Sequence, residues 1–201
     1  NVVNPLRLVE TLAERFLEGG GTIRRGRVEG FDMGNDGPRA IRTDIGEFPV
    51  DRLVISAGAW SNRLTAKLGT TVPLETERGY HVMLPNPGVR LTAKIMNRDH
   101  AFGATQMEHG LRLSGTVEIA GVDAPPDYRR SHAILEHGRR MLPGLNDEGA
   151  EVWMGCRPSF PDSLPVIDRS PRFRSVFFAF GHGHTGMIGA PMTARLIADL
   201  I

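Results

Sequence analysis

Apolar residues Leu8, Val9, Leu12, Ala13, Phe16 and Leu17 recur at helical spacing and form one stripe. Ahead of them Asn4-Pro5 supplies a capping side chain and a proline at the first helical position. Gly19-Gly20-Gly21 ends the helix. Short strands are expected over 22–25, 27–32 and 40–43, the last two separated by a turn at Asn35-Asp36-Gly37-Pro38. Residues 52–56 (Arg-Leu-Val-Ile-Ser) read as a compact buried strand that empties into Ala57-Gly58-Ala59-Trp60.

From Thr71 the texture changes. Residues 72–84 read as a long strand, and 91–96, 101–106 and 111–119 as further strands, with a hairpin turn at Met107-Glu108-His109-Gly110. Consecutive strands with short connections predict an antiparallel sheet. Pro125-Pro126 opens a helix with Ile134, Leu135, Gly138, Met141 and Leu142 on one side, and Pro143-Gly144 stops it. A strand at 151–154 leads to Arg157, which is expected in a turn rich in Pro and Gly. The apolar run Ser175-Val-Phe-Phe-Ala-Phe180 then meets four glycines in nine positions, Gly181 to Gly189, before helix-forming sequence. A strand that passes through glycines into a helix lets a ligand approach bare backbone and the unpaired N–H groups of the helix.

Composition narrows the picture. The 201 residues carry a net charge of +1, so no electrostatic argument favours nucleic acid or an anionic membrane. The single cysteine, Cys156, excludes an internal disulfide and a cysteine-based zinc site, and fits a reducing, cytoplasmic compartment. No apolar run approaches the roughly 20 residues of a membrane span. No internal repeat is visible. The chain opens on Asn1 without methionine and stops in helical sequence, and reads as a piece of a longer protein.

The segment Gly155-Cys-Arg157-Pro-Ser-Phe-Pro-Asp162, followed by Pro165-Val-Ile167 and Gly181-His182-Gly-His184-Thr185-Gly186-Met187, resembles the C-terminal signature of the D-amino-acid oxidase/glycine oxidase superfamily of FAD-dependent oxidoreductases. The likeness is strongest to its bacterial D-amino-acid dehydrogenase-like branch, and extends more weakly over almost the whole chain. It implies an α/β plus α+β architecture, with an antiparallel-sheet substrate domain (71–154) inserted in an FAD-binding domain represented by 1–70 and 155–201. The Gly-x-Gly-x-x-Gly turn that cradles the pyrophosphate in this family is absent from the chain. Without it, this piece alone is expected to hold FAD weakly or not at all and to be inactive.

By the same resemblance, Ala57, Gly58 and Trp60 pass close to the flavin cofactor, and the Val28 main chain meets the adenine. Gly181, His182, His184, Thr185, Gly186 and Met187 align with residues at the flavin ring. Arg157 matches an arginine that clamps the substrate carboxylate, a task suited to its planar fork. Tyr80 and His81 are candidates for a second polar contact; as strand residues facing solvent they would have no such role. Related sarcosine oxidases attach flavin through a cysteine in this strand, but the Pro-Asp register puts that position at Gly155. Cys156 is therefore read as a packing residue and the FAD as non-covalent. His182 and His184 at i, i+2 lack a nearby completing ligand, so no metal is expected.

The function implied is oxidation of a D-amino acid or small secondary amine. FAD takes a hydride from the substrate Cα, and given a neutral amine no side-chain base is needed. The electron acceptor, oxygen or a quinone chain, is not specified by any residue, and the resemblance leaves room for a position peripheral to the inner membrane. The alternatives are a glycerol-3-phosphate or 2-hydroxy-acid dehydrogenase of the same fold, and a substrate-domain scaffold without activity.

Overall fold

The computed structural model describes residues 2–201. In chain order its elements are α1 (Pro5–Glu18), the strands β1 (Val28–Gly34), β2 (Gly37–Thr43), β3 (Gly46–Pro49) and β4 (Leu53–Ile55), and α2 (Ser61–Lys67). Then come β5 (Glu75–Leu84), β6 (Ile95–Asn97), β7 (Phe102–Met107) and β8 (Gly110–Ile119), α3 (Arg129–Met141), β9 (Glu151–Ser159), β10 (Val166–Arg169), β11 (Val176–Phe180) and α4 (Gly186–Leu200). The chain divides into two compact units. One comprises the residues up to Arg24, Arg78–Glu118 and Pro125–Gly155; the other Arg25–Glu77, Ile119–Ala124 and Cys156–Ile201.

The first unit is built on an antiparallel meander. Strands β6, β7, β8 and β5 follow one another across the sheet, with β9 at its edge beyond β5. The β7–β8 hairpin pairs Met107 with Gly110 around the expected turn. Tyr80, Val82 and Leu84 alternate on β5 and pack with Phe102, Ala104, Leu111 and Leu113, covered by Ile134 and Leu135 of α3. In α1 the Asn4 side chain accepts a 2.9 Å hydrogen bond from the Arg7 N–H, as its position predicts. Its apolar stripe lies exposed, with Val9 60% and Leu12 60% accessible.

The second unit holds two small sheets. Strands β1, β2 and β3 form an antiparallel meander, while β10, β11 and β4 form a sheet in which β11 runs antiparallel to β10 and parallel to β4. The run Val-Phe-Phe-Ala-Phe is buried on both faces of β11, which explains its lack of polar alternation. Phe31, Leu53, Ile55, Val176, Phe178 and Phe180 share this core.

Several expectations are corrected. Residues 22–25 form no strand, and the strand expected over 91–96 shrinks to Ile95–Asn97. The helix after Pro125-Pro126 begins at Arg129, whose N–H is taken at 3.2 Å by the Asp127 side chain. Strands β3 and β10 were not anticipated. Arg157 belongs to β9 rather than to a turn. Pro158 beside it is tolerated because β9 is an edge strand of its sheet.

A charged group lies inside the first unit. Arg78 is 0% exposed, its Nε is 3.4 Å from Glu118, and its nitrogens have no hydrogen-bond partner among the described residues. Glu118 also accepts a 2.6 Å hydrogen bond from the Tyr80 hydroxyl. Breaking a buried pair from one side strands the other charge, at about 3–5 kcal/mol. We therefore expect Glu118→Gln to lower the urea midpoint strongly. Arg78→Met should cost less, and the double variant should recover part of the Glu118→Gln loss; simple additivity would show that the pair is not coupled.

Candidate functional site

The parallel register of β4 and β11 pairs Leu53 with Val176, Val54 with Phe177 and Ile55 with Phe178. Both strands therefore end on the same side of the sheet, and both run into glycine turns. After β4, Gly58 takes φ +55°, a region that a Cβ disfavours, and space around the missing side chain is open to 4 Å. It opens a short 3-10 turn, Gly58–Trp60, in which Trp60 is exposed. After β11 come Gly181, covered by the Phe160 ring, and Gly183 at φ +50°. A Cβ on Gly183 would lie 3.2 Å from Ser159 Oγ. Thr185 then precedes α4 without a side-chain cap, and Gly186 and Met187 open the helix, Met187 exposed. Val28 stands half-buried at the start of β1, where the pairing with β2 is irregular.

The two histidines of the second turn do different work. His182 Nε2 lies 2.7 Å from the Thr193 hydroxyl, which donates its own proton to the Gly189 carbonyl at 3.0 Å. A hydroxyl has one proton, so His182 must donate, and the ring ties the turn to α4. Burial lowers its pKa, which favours this neutral form. His184 is exposed and its Nε2 sits 2.9 Å from Glu77. The pair shares no ligand-like convergence, and among the described residues no group of three or more His, Cys, Asp or Glu side chains is placed to hold a metal.

A cavity of about 250 Å³ lies against this turn, lined by Glu77, Ser159, Phe160, Ser163 and residues 181–185. Ser159 is 8% exposed and its Oγ has no hydrogen-bond partner among the described residues. A second groove of about 320 Å³ runs between Val54, Ser56 and Ala179 and the small residues of α4. Glu77 and Ser159 were not singled out from the sequence. Ser159 had one signal, alternation, since it is two positions beyond Arg157 on β9 and shares its face.

Arg157 is half-buried, with Nη1 lacking a hydrogen-bond partner among the described residues. Burial lowers its pKa, and the carboxylate of Glu77 pushes it back. The group stays charged at any working pH. Cys156 beside it is half-buried. A side chain at Gly155 would displace the Trp153 indole, because a Cβ there would lie 2.1 Å from it.

Tyr80 and His81 lie on β5 in the other unit. Tyr80 is 1% exposed, donates to Glu118 and accepts a 2.9 Å hydrogen bond from the Asp127 N–H. Burial and the Glu118 bond raise its pKa. Its hydroxyl is thus engaged inside the unit, and it does not face solvent. His81 stacks on Trp153 at 4.9 Å. Burial, helped by the charge of Arg112, lowers its pKa from 6.5 to about 4. A depressed histidine pKa means that the unfolded chain binds the proton first, so the stability His81 contributes is complete above pH 6.5 and declines as pH falls toward about 4. His81→Phe should flatten that part of the pH dependence of the urea midpoint; an unchanged slope would assign it to other groups.

Residues 1–200 match the family described as FAD dependent oxidoreductase (DAO). The chain is 39% identical to a D-amino-acid oxidase of Bradyrhizobium diazoefficiens, over 98% of this chain and 48% of that protein. It is 32% identical to D-amino acid dehydrogenase 2 of Mesorhizobium japonicum, over 96% of this chain and 45% of that one. Among solved structures, glycine oxidase from Geobacillus kaustophilus superposes with a TM-score of 0.82 at 26% identity, over 96% of this chain and 52% of its own. The chain thus spans about half the length of these relatives. A family match from end to end, on a fold whose glycine turns close two parallel strands, establishes that the chain belongs to the DAO family of FAD-dependent oxidoreductases.

Proposed function

We propose that the full-length protein oxidises a D-amino acid or small secondary amine, with Arg157 holding the substrate carboxylate. The observation that carries this reading is a half-buried guanidinium with an unpartnered Nη1, on the same face of β9 as Ser159, which lines a cavity. Orientation is a large part of the barrier in such a reaction, and a two-pronged clamp supplies it.

The residues present fit FAD. Gly58 offers bare backbone to open space, Gly183 keeps the cavity clear beside Ser159, and α4 begins without a side-chain cap. Bound FAD supplies the hydride acceptor. This chain supplies the rest: the turns at Ala57-Gly58 and 181–185 as walls, and the first N–H groups of α4 as a partial positive charge of roughly half an elementary unit. Gly155 closed by Trp153 supports a non-covalent attachment. The glycerol phosphate reading is weaker because Glu77 would repel a dianion near Arg157, and the 2-hydroxy-acid reading because such a ligand offers Glu77 no positive group. Names of the relatives support the amino-acid reading over an inactive scaffold.

In the full-length enzyme Arg157→Ala removes one side of a charged pair, at about 2–5 kcal/mol. That corresponds to a loss of roughly 30- to 4000-fold in kcat/KM. Arg157→Lys recovers part of it, since an ammonium cannot reproduce the fork. Flavin content should not change. An amine lacking the carboxylate should be turned over equally by wild type and variant; equal slowing of both substrates would make Arg157 a structural residue and remove the clamp.

A further inference from the structure

The cavity beside the 181–185 turn holds two polar groups that the carboxylate clamp leaves unused. Glu77 projects from β5 with its side chain 29% exposed. His184 is the one hydrogen-bond donor it has among the described residues, at 2.9 Å on Oε2. A carboxylate offers about four lone-pair sites on two oxygens, so Glu77 can accept from a ligand in the cavity it lines while still bonded to His184. Ser159 Oγ, on the neighbouring strand of the sheet, is buried without a partner in the same cavity. Buried polar atoms without partners are uncommon in folded proteins, and each asks for a ligand that would satisfy it. The cavity, about 250 Å³, suits a molecule smaller than a typical drug-sized ligand.

The charges also bear on what that molecule is. A carboxylate ligand on Arg157 would meet an anion in Glu77, unless the ligand carried a positive group of its own. An amino-acid zwitterion does: its carboxylate and its ammonium are opposite charges attached to the same carbon. Arg157 and Ser159 share one face of β9, so groups bound to the guanidinium and to the cavity wall stand along one line of the strand.

We propose that Glu77 is a specificity-determining residue that accepts the amino group of the substrate, with Ser159 Oγ as its second polar contact, so that the site selects zwitterions over simple carboxylates. This inference rests on the amino-acid reading above and adds to it a residue for the amine. His184 then competes for the same carboxylate and holds it in place while the cavity is empty.

The test uses the full-length protein, with its flavin reduced by dithionite under anaerobic conditions so that no turnover occurs. Isothermal titration measures D-alanine and propionate, the same skeleton without the amine, against wild type, Glu77→Gln and Arg157→Ala. Glu77→Gln should weaken D-alanine by about tenfold or more, the worth of one charge-assisted contact of about 1.5–3 kcal/mol. It should leave propionate unchanged or tighter, because a repelling anion is gone. Arg157→Ala should weaken both. Ser159→Ala, which removes the second polar contact, should weaken D-alanine more than propionate, and it tests the proposal even if Glu77→Gln fails to fold. D-alanine binding that is indifferent to Glu77→Gln, or a loss shared equally by both ligands in Glu77→Gln or Ser159→Ala, would overturn the role of Glu77 and leave the amino-acid reading standing. A wild type that binds propionate but not D-alanine, or neither ligand, would remove both.

Discussion

The parallel pairing of β4 with β11 is the constraint on which the rest of the site depends. Parallel strands end on the same side, so the register from Leu53–Val176 to Ile55–Phe178 brings the Ala57-Gly58 turn and the 181–185 turn to one end of one sheet. Open sheets of this type bind ligands outside the carboxyl ends of their strands. The apolar run of β11, buried on both faces, anchors that end in the core of its unit. Glycines then continue the chain where side chains would fill the space, and α4 starts directly after them.

Much of this was legible in the residues, for physical reasons. The Asn4-Pro5 helix start, the β7–β8 hairpin and the uninterrupted apolar β11 are local signals, and each formed as its sequence predicts. Arg157 was misplaced because proline and glycine flank it, and those residues usually mark turns. On an edge strand a proline leaves no ladder bond broken in the interior, so β9 runs on to Ser159. Residues 22–25 have strand-like composition but no pairing partner, and strand propensity without pairing decides nothing. Glu77 was hidden for a different reason. Its meeting with His184 joins distant parts of the sequence, and no spacing rule reaches that far.

The polar groups fall into two kinds that sequence could not separate. Tyr80 looked like a ligand contact, yet its hydroxyl is consumed by Glu118 and the Asp127 N–H in a network that accompanies the buried Arg78. His182, a candidate cofactor contact, also fastens its turn to α4 through Thr193. Arg157, Ser159 and Glu77 keep unfilled hydrogen-bonding capacity in the second unit instead. Satisfied polar atoms build the fold, whereas unsatisfied ones beside a cavity point to what binds there.

The central claim is that the two glycine turns at the ends of β4 and β11 form part of an FAD site. The direct measurement is a fluorescence titration of flavin-free full-length protein with FAD, comparing wild type with Gly183→Val at matched circular dichroism. Valine is strained at φ +50° and would crowd Ser159 Oγ, so the account predicts quenching and saturable binding in wild type and marked weakening in the variant. A folded Gly183→Val protein that binds FAD as tightly as wild type, or a wild type that binds none, would contradict it.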